Sequence, residues 1–273
     1  MLEDLERAAI DAGRAILTIA PSELTVTTKE DSSLVTSADR RSETVITEFL
    51  SRAYPGVAVV AEEAMAGGEQ HACDADRFFL VDPLDGTREF IEQSGDYTVN
   101  IALVERGVPV LGVVYAPARR MGYSADQSKA QKFLVTTDGV IVERTDIHCR
   151  TRGVAMTAVA SRSHSNEATQ AFLTRHGISS CLSVGSSLKF CLIAEGYADV
   201  YPRYGRTMEW DTAAGDAVLR AAGGRTALTD GALLTYGKRR QVDDCDYANP
   251  HFIAWGASCW PSDPENPRDS DTD

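Results

Sequence analysis

VDPLDGTREF, residues Val81–Phe90, sets Asp82 and Asp85 three positions apart, with Pro83 between them and Gly86-Thr87 directly after. The preceding Arg77–Val81 (RFFLV) is apolar, aromatic and β-branched, which predicts a strand that ends where the carboxylates begin. Pro83 fixes its own φ and biases Asp82 toward an extended conformation, while Gly86 permits a tight turn. The N–H groups of Gly86 and Thr87 would then face any anion held there, as at a helix start. Two carboxylates about 4 Å apart at an effective dielectric of about 20 repel by roughly 4 kcal/mol, so one must be protonated or a cation must sit between them. An oxygen-only donor set suits Mg²⁺. An isolated D-x-x-D would more simply be a capped turn, with Asp85 capping a short helix; the full string, with Pro, Gly and Thr in place, favours the cation site.

Around this stretch the chain of 273 residues provides one large domain or two intimately packed halves, with 43% apolar and 25% charged residues. A net charge of −13 argues against nucleic acid or an anionic membrane surface as a partner. A phosphate substrate would need metal ions and local cations to overcome that field. Leu2, Leu5, Ala9, Ala12, Ile16 and Ile19 recur at helical spacing in an acidic start, which predicts an amphipathic helix rather than a signal peptide. No stretch has the length of a membrane span. Cys73, Cys149, Cys181, Cys191, Cys245 and Cys259 form no C-x-x-C pair, which points to reduced thiols in a cytoplasmic protein and away from zinc.

In chain order, Leu24–Thr28 is strand-like, and Ser37 or Asp39 opens a helix whose apolar face is Val45, Ile46, Phe49 and Leu50. Pro55-Gly56 stops it, and Val57–Ala61 is a short strand running into Glu62-Glu63. Tyr97–Ala125 alternates strand runs with breaks, a β-meander. The polar stretch Arg144–Arg152 separates a second half of alternating strands and helices: MTAVAS, then Asn166–Arg175, CLSVG, SLKFCLIAEG and ADVYPR, followed by a small-residue helix over Asp211–Ala222. Expected units are an α+β subdomain with the metal site over 1–145, an α/β subdomain with substrate contacts over 146–260, and a disordered acidic tail over 261–273.

Asp39 follows Val35-Thr36, Glu62-Glu63 follows a strand, and Asp211 stands in EWDTAAGDA. Singly, each has a plain explanation as surface charge or helix N-cap. In this order, with Asp82–Phe90, Tyr97–Leu103 (YTVNIAL), Ser161–His164 (SRSH), Gly185–Cys191 (GSSLKFC), Tyr201–Arg203 (YPR) and Trp210–Gly215 (WDTAAG), the chain resembles the inositol monophosphatase superfamily of Mg²⁺-dependent, lithium-sensitive phosphatases. The finer detail is similar to the CysQ type of 3′(2′),5′-bisphosphate nucleotidase. The resemblance runs from the first helix to about Trp255.

The resemblance implies an α/β, α+β fold, the layered αβαβα sandwich of the inositol monophosphatase and fructose-1,6-bisphosphatase type. It assigns Glu62, Asp82, Asp85, the Leu84 carbonyl and Asp211 to two or three Mg²⁺ ions, with Glu63 close behind. Thr87 with Asp39 would orient the attacking water, so Asp39, Thr87 and Glu63 make up the catalytic set. Substrate contacts would come from Glu62, Leu84, Asp85, Gly86, Thr87, His164, Ser186, Lys189, Arg203 and Asp211. In-line displacement by water needs no covalent phosphoenzyme. The implied substrate is adenosine 3′,5′-bisphosphate, hydrolysed to AMP and phosphate in a role linked to sulfate assimilation, with its sulfated form a second candidate that would give adenylyl sulfate. The implied enzyme is a monomer or homodimer, cytoplasmic or, by resemblance alone, peripheral on the cytoplasmic side of the inner membrane.

Three residues depart from the nucleotidase pattern: Leu34 stands where Pro is common, Arg88 replaces Lys, and Asp216 replaces a common His. Leu34 reads as a loop matter and Arg88 keeps its charge, whereas Asp216, just over one helical turn past Asp211, is expected to add negative charge near the site. Inositol monophosphate or a sugar phosphate is the alternative substrate, because the metal residues do not separate these classes. A non-catalytic metal-binding regulator would be expected to have lost a ligand or the Thr–Asp pair, and neither is missing.

Overall fold

Along Arg77–Asp85 successive side chains divide between two cores: Phe78 and Leu80 enter one, Phe79 and Val81 the other. A strand apolar on both faces must be covered on both faces, which makes it the interior of a layered structure. The computed structural model describes residues 1–20, 22–29, 33–68, 75–151, 153, 155–161, 166–257 and 259–260. Its elements begin with α1 (Leu2–Leu17), β1 (Val26–Thr28), β2 (Leu34–Thr36), α2 (Ser37–Ala53), β3 (Ala58–Ala61), α3 (Glu62–Ala66), β4 (Arg77–Asp85) and α4 (Thr87–Ile91). Five strands follow: β5 (Thr98–Glu105), β6 (Val108–Ala116), β7 (Met121–Ala125), β8 (Ala130–Val135) and β9 (Ile141–Asp146). Then come β10 (Thr157–Ser161), α5 (Glu167–Arg175), β11 (Ser180–Val184), α6 (Leu188–Ala194), β12 (Val200–Arg203) and β13 (Thr207–Met208). The last are α7 (Glu209–Ala221), β14 (Arg225–Leu228), β15 (Ala248–Asn249) and β16 (Phe252–Trp255).

A seven-stranded sheet runs in order β3-β4-β5-β6-β7-β8-β9, with β3 and β4 parallel and the rest antiparallel. A five-stranded sheet runs β11-β10-β12-β16-β14, parallel through β11, β10 and β12 and antiparallel beyond. Helices α1 and α2 cover one face of the larger sheet, while α7, with α6 beside it, covers the other and reaches the smaller sheet. Helix α5 lies against β12, where Phe172 and Leu173 share a small core with Ala158, Val200 and Trp255. This is the expected αβαβα sandwich. Small residues bring α7 close to the sheet: a Cβ on Gly112 of β6 would lie 2.5 Å from the carbonyl oxygen of Ala214. Although β9 ends at Asp146 and β10 begins only at Thr157, α7 packs on the first sheet, so the two sheets share one helical layer.

Three local expectations change. β4 does not stop at Val81 but continues to Asp85, pairing Asp82 with Asn100 and Asp85 with Thr98 across a register shift. Pro83, which has no N–H for the ladder, stands inside that irregularity. Helix α2 is capped by Thr36, not by Ser37 or Asp39, and Asp39 takes the third helical position of a capping box. The meander extends past Ala125 by two strands, β8 and β9. Cys149, Cys181, Cys191, Cys245 and Cys259 are free thiols, whereas Cys73 and the tail over 261–273 lie outside the described residues. Among the described residues no helix is long and apolar enough to cross a membrane.

Candidate active site

The exit of β4 meets the starts of α3, α4, α6 and α7 around a cavity of about 800 Å³. Chain geometry explains why acids collect there. Glu62 opens α3 directly after β3, and β3 and β4 are parallel neighbours, so Glu62 and Asp82 emerge from adjacent strand ends. Asp211 stands in the first turn of α7, and its Oδ2 accepts the Met208 N–H at 2.8 Å. One carboxylate oxygen each from Glu62, Asp82 and Asp211 lie within 4.8 Å of one another. Asp85 lines the same cavity but is not in that group; its Oδ2 is 3.4 Å from Asn100 Nδ2. Asn100 also donates to Ser187 Oγ at 3.0 Å, and Ser187 donates to the Asp211 carbonyl at 2.5 Å. β5, α6 and α7 thereby hold Asp85 and Asp211 in one frame.

The electrostatics are those of a site built for a cation. Burial, then repulsion from Glu62, Asp85 and Asp211, pushes the Asp82 carboxyl well above the usual range. Burial, then Asp85 and Glu62, pushes Asp211 up to about 8. Glu62 and Asp85 are raised as well, burial being the largest cause in each. Burial and the neighbouring Glu62 bring Glu63 up to about 7. Carboxylates that resist ionisation together, in an oxygen-only donor set, fit a hard divalent cation.

Raised carboxyl affinities set the sign of a stability effect. The folded metal-free protein holds protons that the unfolded chain has released, so its stability falls as pH climbs from the unfolded carboxyl range, about 4, through about 7 and 8. In EDTA the melting temperature is therefore expected to be higher at pH 5.5 than at pH 8. With saturating divalent metal, which binds the deprotonated carboxylates, that order should reverse. Thermal melts at the two pH values check this, and a metal-free protein more stable at pH 8 would contradict the assignment.

Thr87 stands beside the acids at the start of α4, after Gly86 at φ +94. A Cβ on Gly86 would be strained by that φ and would lie 3.3 Å from the Asp96 carbonyl, so the turn requires glycine. Thr87 Oγ1 lies 3.0 Å from Asp39 Oδ1 and 3.3 Å from the Leu84 carbonyl. Asp39 is buried and uses its other oxygen for the Thr36 N–H at 2.8 Å and the Thr36 hydroxyl at 2.6 Å. One Asp39 oxygen thus serves the helix cap while the other faces Thr87. Burial raises its proton affinity.

Cations line the same cavity. Lys189 is buried, donates to the Ser186 carbonyl at 2.5 Å, and is pushed down to about 8 by burial, against the pull of Asp85. Ser186 precedes α6 at φ +52 rather than standing in its first turn, yet it lines the cavity with Lys189 and Arg203. Leu84 and Gly86 line it too. His164 lies outside the described residues. Leu34, expected in a loop, opens β2 and faces the cavity, as does Arg88. Asp216 does not add charge to the site: it is buried, with Oδ2 2.9 Å from Arg220 Nε and 3.0 Å from the Tyr236 hydroxyl, so Arg220 answers its charge.

Sequence reasoning missed Lys29, Asn100 and Ser187 as side chains that contact or frame the acids. Lys29 Nζ lies 2.7 Å from Glu62 Oε1 and 2.6 Å from Glu63 Oε1. Burial alone would lower its affinity, but the two glutamates overcome that and hold it well above the ordinary lysine range. Nothing local in VTTKE marks it, because its partners are more than thirty residues away. Asn100 and Ser187 lay inside quoted motifs; a polar residue in the apolar run TVNIALV was the available signal.

Comparison with known proteins identifies the family. The model of the inositol monophosphatase family matches residues 1–252. The chain is 43% identical over 256 residues to the 3′(2′),5′-bisphosphate nucleotidase CysQ of Escherichia coli K12, covering 92% of this chain and 98% of that protein. The crystal structure of CysQ from Bacteroides thetaiotaomicron superposes with a TM-score of 0.74 at 35% identity, covering 93% of this chain and 97% of that one. The inositol monophosphatase of Anabaena sp. PCC 7120 shares the fold, with a TM-score of 0.70 at 23% identity over 94% of this chain and 90% of its own. With the family model spanning nearly every described element and nucleotidases of this type matching along almost their whole length, the chain belongs to the inositol monophosphatase family, in its CysQ group.

Proposed function

We propose that this protein is a Mg²⁺-dependent 3′(2′),5′-bisphosphate nucleotidase that cleaves the 3′-phosphate of adenosine 3′,5′-bisphosphate to give AMP and phosphate. The observation that carries the reading is one cavity lined both by metal-ready carboxylates, Glu62, Asp82 and Asp211, and by the cations Lys189 and Arg203. A substrate with two phosphates needs both the carboxylate-held metal and the cations. The CysQ relatives support the substrate class.

Glu62, Asp82, Asp85, Asp211 and the Leu84 carbonyl would hold Mg²⁺, which supplies neutralisation of the attacking and leaving oxygens and acidifies water. The remaining work falls to side chains and amides. Thr87 Oγ1 donates to Asp39 Oδ1, so its lone pairs face outward and accept an O–H of the attacking water. As that water attacks phosphorus, Thr87 takes its proton and passes its own to Asp39, whose burial raises its proton affinity. The P–O3′ bond breaks, the leaving 3′-oxygen takes a proton from solvent water to give the 3′-hydroxyl, and the Gly86 and Thr87 N–H groups receive phosphoryl oxygens.

Phosphate release measured side by side from adenosine 3′,5′-bisphosphate and inositol 1-phosphate, with Mg²⁺ and with EDTA, tests the reading. The nucleotide should be the better substrate by at least about tenfold in kcat/KM, and EDTA should abolish turnover. Preference for inositol 1-phosphate would overturn the nucleotide assignment while keeping the metal site.

A further inference from the structure

Arg206 is a cation of this cavity that no role above uses. It stands in the turn between β12 and β13, lines the cavity beside Arg203 and Thr207, and reaches across to the segment before β15. There its Nη2 lies 3.1 Å from Asp244 Oδ1 and 2.8 Å from Cys245 Sγ. The Arg206 carbonyl accepts Arg203 Nη2 at 3.0 Å, so the inner arginine fixes the backbone that carries the outer one.

Three other cations of this cavity, Lys29, Lys189 and Arg203, are less exposed, while the exposed Arg88 also lines it. Lys29 is held by Glu62 and Glu63, and Lys189 is buried against the Ser186 carbonyl and feels Asp85. The Arg203 charge favours the ionised form of Asp211. Arg206 is 52% exposed, and an ion pair as open as Arg206–Asp244 holds little free energy, so the guanidinium can change partner at small cost. A phosphate dianion offers it the forked, charge-assisted contact that a single Asp244 oxygen does not. We propose that Arg206 is a specificity-determining residue for the second phosphate of the substrate: the 5′-phosphate takes the guanidinium from Asp244 while the metal residues Glu62, Asp82 and Asp211 hold the 3′-phosphate. The inference rests on the nucleotidase reading and extends it to one residue.

Steady-state kinetics on adenosine 3′,5′-bisphosphate and adenosine 3′-monophosphate, which lacks the second phosphate, test it. Arg206→Ala should raise KM for the bisphosphate about ten- to a hundredfold with kcat little changed, leave the monophosphate unaffected, and weaken inhibition by 5′-AMP in parallel. Asp244→Asn, which removes the competing charge, should lower KM for the bisphosphate alone. Because Arg206 is half exposed, unchanged melting temperatures should accompany both variants. Equal effects on both substrates, no effect on either, or a bisphosphate-specific loss in Arg88→Ala instead of Arg206→Ala would overturn the assignment of Arg206 with the nucleotidase reading intact. Wild-type protein that turns over inositol 1-phosphate and neither nucleotide would overturn both.

Discussion

Asp85→Asn is expected to lower kcat/KM by about a thousandfold or more, the loss of several kcal/mol of transition-state charge stabilisation, with the fold intact. Asp85 lines the cavity, and its charge raises the proton affinity of both Asp82 and Asp211. An amide has the shape of the carboxylate but not its charge, so the frame of Asn100 and Ser187 stays in place while the pull on a divalent cation is lost. In the metal-free protein the same change relieves repulsion among buried acids, so the variant should melt at a higher temperature than wild type in EDTA. Adding Mg²⁺ should then raise its melting temperature less than it raises that of wild type. Phosphate-release rates and paired melts check both halves. Full activity of the variant at saturating Mg²⁺ would refute the role of Asp85.

Thr87→Ala is expected to lower kcat and kcat/KM together by about a hundredfold, the scale of losing the orientation of a reacting group. The hydroxyl is held 3.0 Å from Asp39, whose second oxygen is occupied by Thr36, so the direction in which Thr87 presents its lone pairs is set by the start of α2. Alanine removes the proton path and leaves the metal carboxylates untouched. Thr87→Ser, which keeps the hydroxyl, should recover most of the activity, whereas a loss of packing alone would not be repaired by the smaller serine. A change confined to KM would mean that Thr87 only binds phosphate.

The two variants probe positions that were legible in different ways. Asp82 and Asp85 announce themselves through their neighbours: a proline and a glycine around paired acids after an apolar run have few structural uses. Asp39 and Asp211 are ambiguous locally, because an acid in the first turn of a helix is favoured whether or not anything binds it. Both do serve their helix starts, Asp39 by accepting the Thr36 N–H and Asp211 by accepting the Met208 N–H. Asp39 turns its other oxygen to Thr87, and Asp211 brings an oxygen into the acid cluster, so neither reading excluded the other. Asp216 shows the opposite failure: one helical turn from Asp211 in sequence, it is matched by Arg220 and Tyr236 and contributes nothing to the site's charge.

The first helix, the apolar strand before the paired acids, the meander from Tyr97 and the small-residue helix after Asp211 were legible in the sequence alone, because each depends on periodicity or on residues within a few positions of one another. Tertiary structure decided the rest. It placed Lys29 on Glu62 and Glu63, joined Asn100 of β5 to Ser187 at the start of α6, and carried Arg206 to Asp244. Each of these contacts joins residues more than thirty positions apart through a long-range approach of layers, and a charge or amide far along the chain carries no local mark of the partner that folding brings to it.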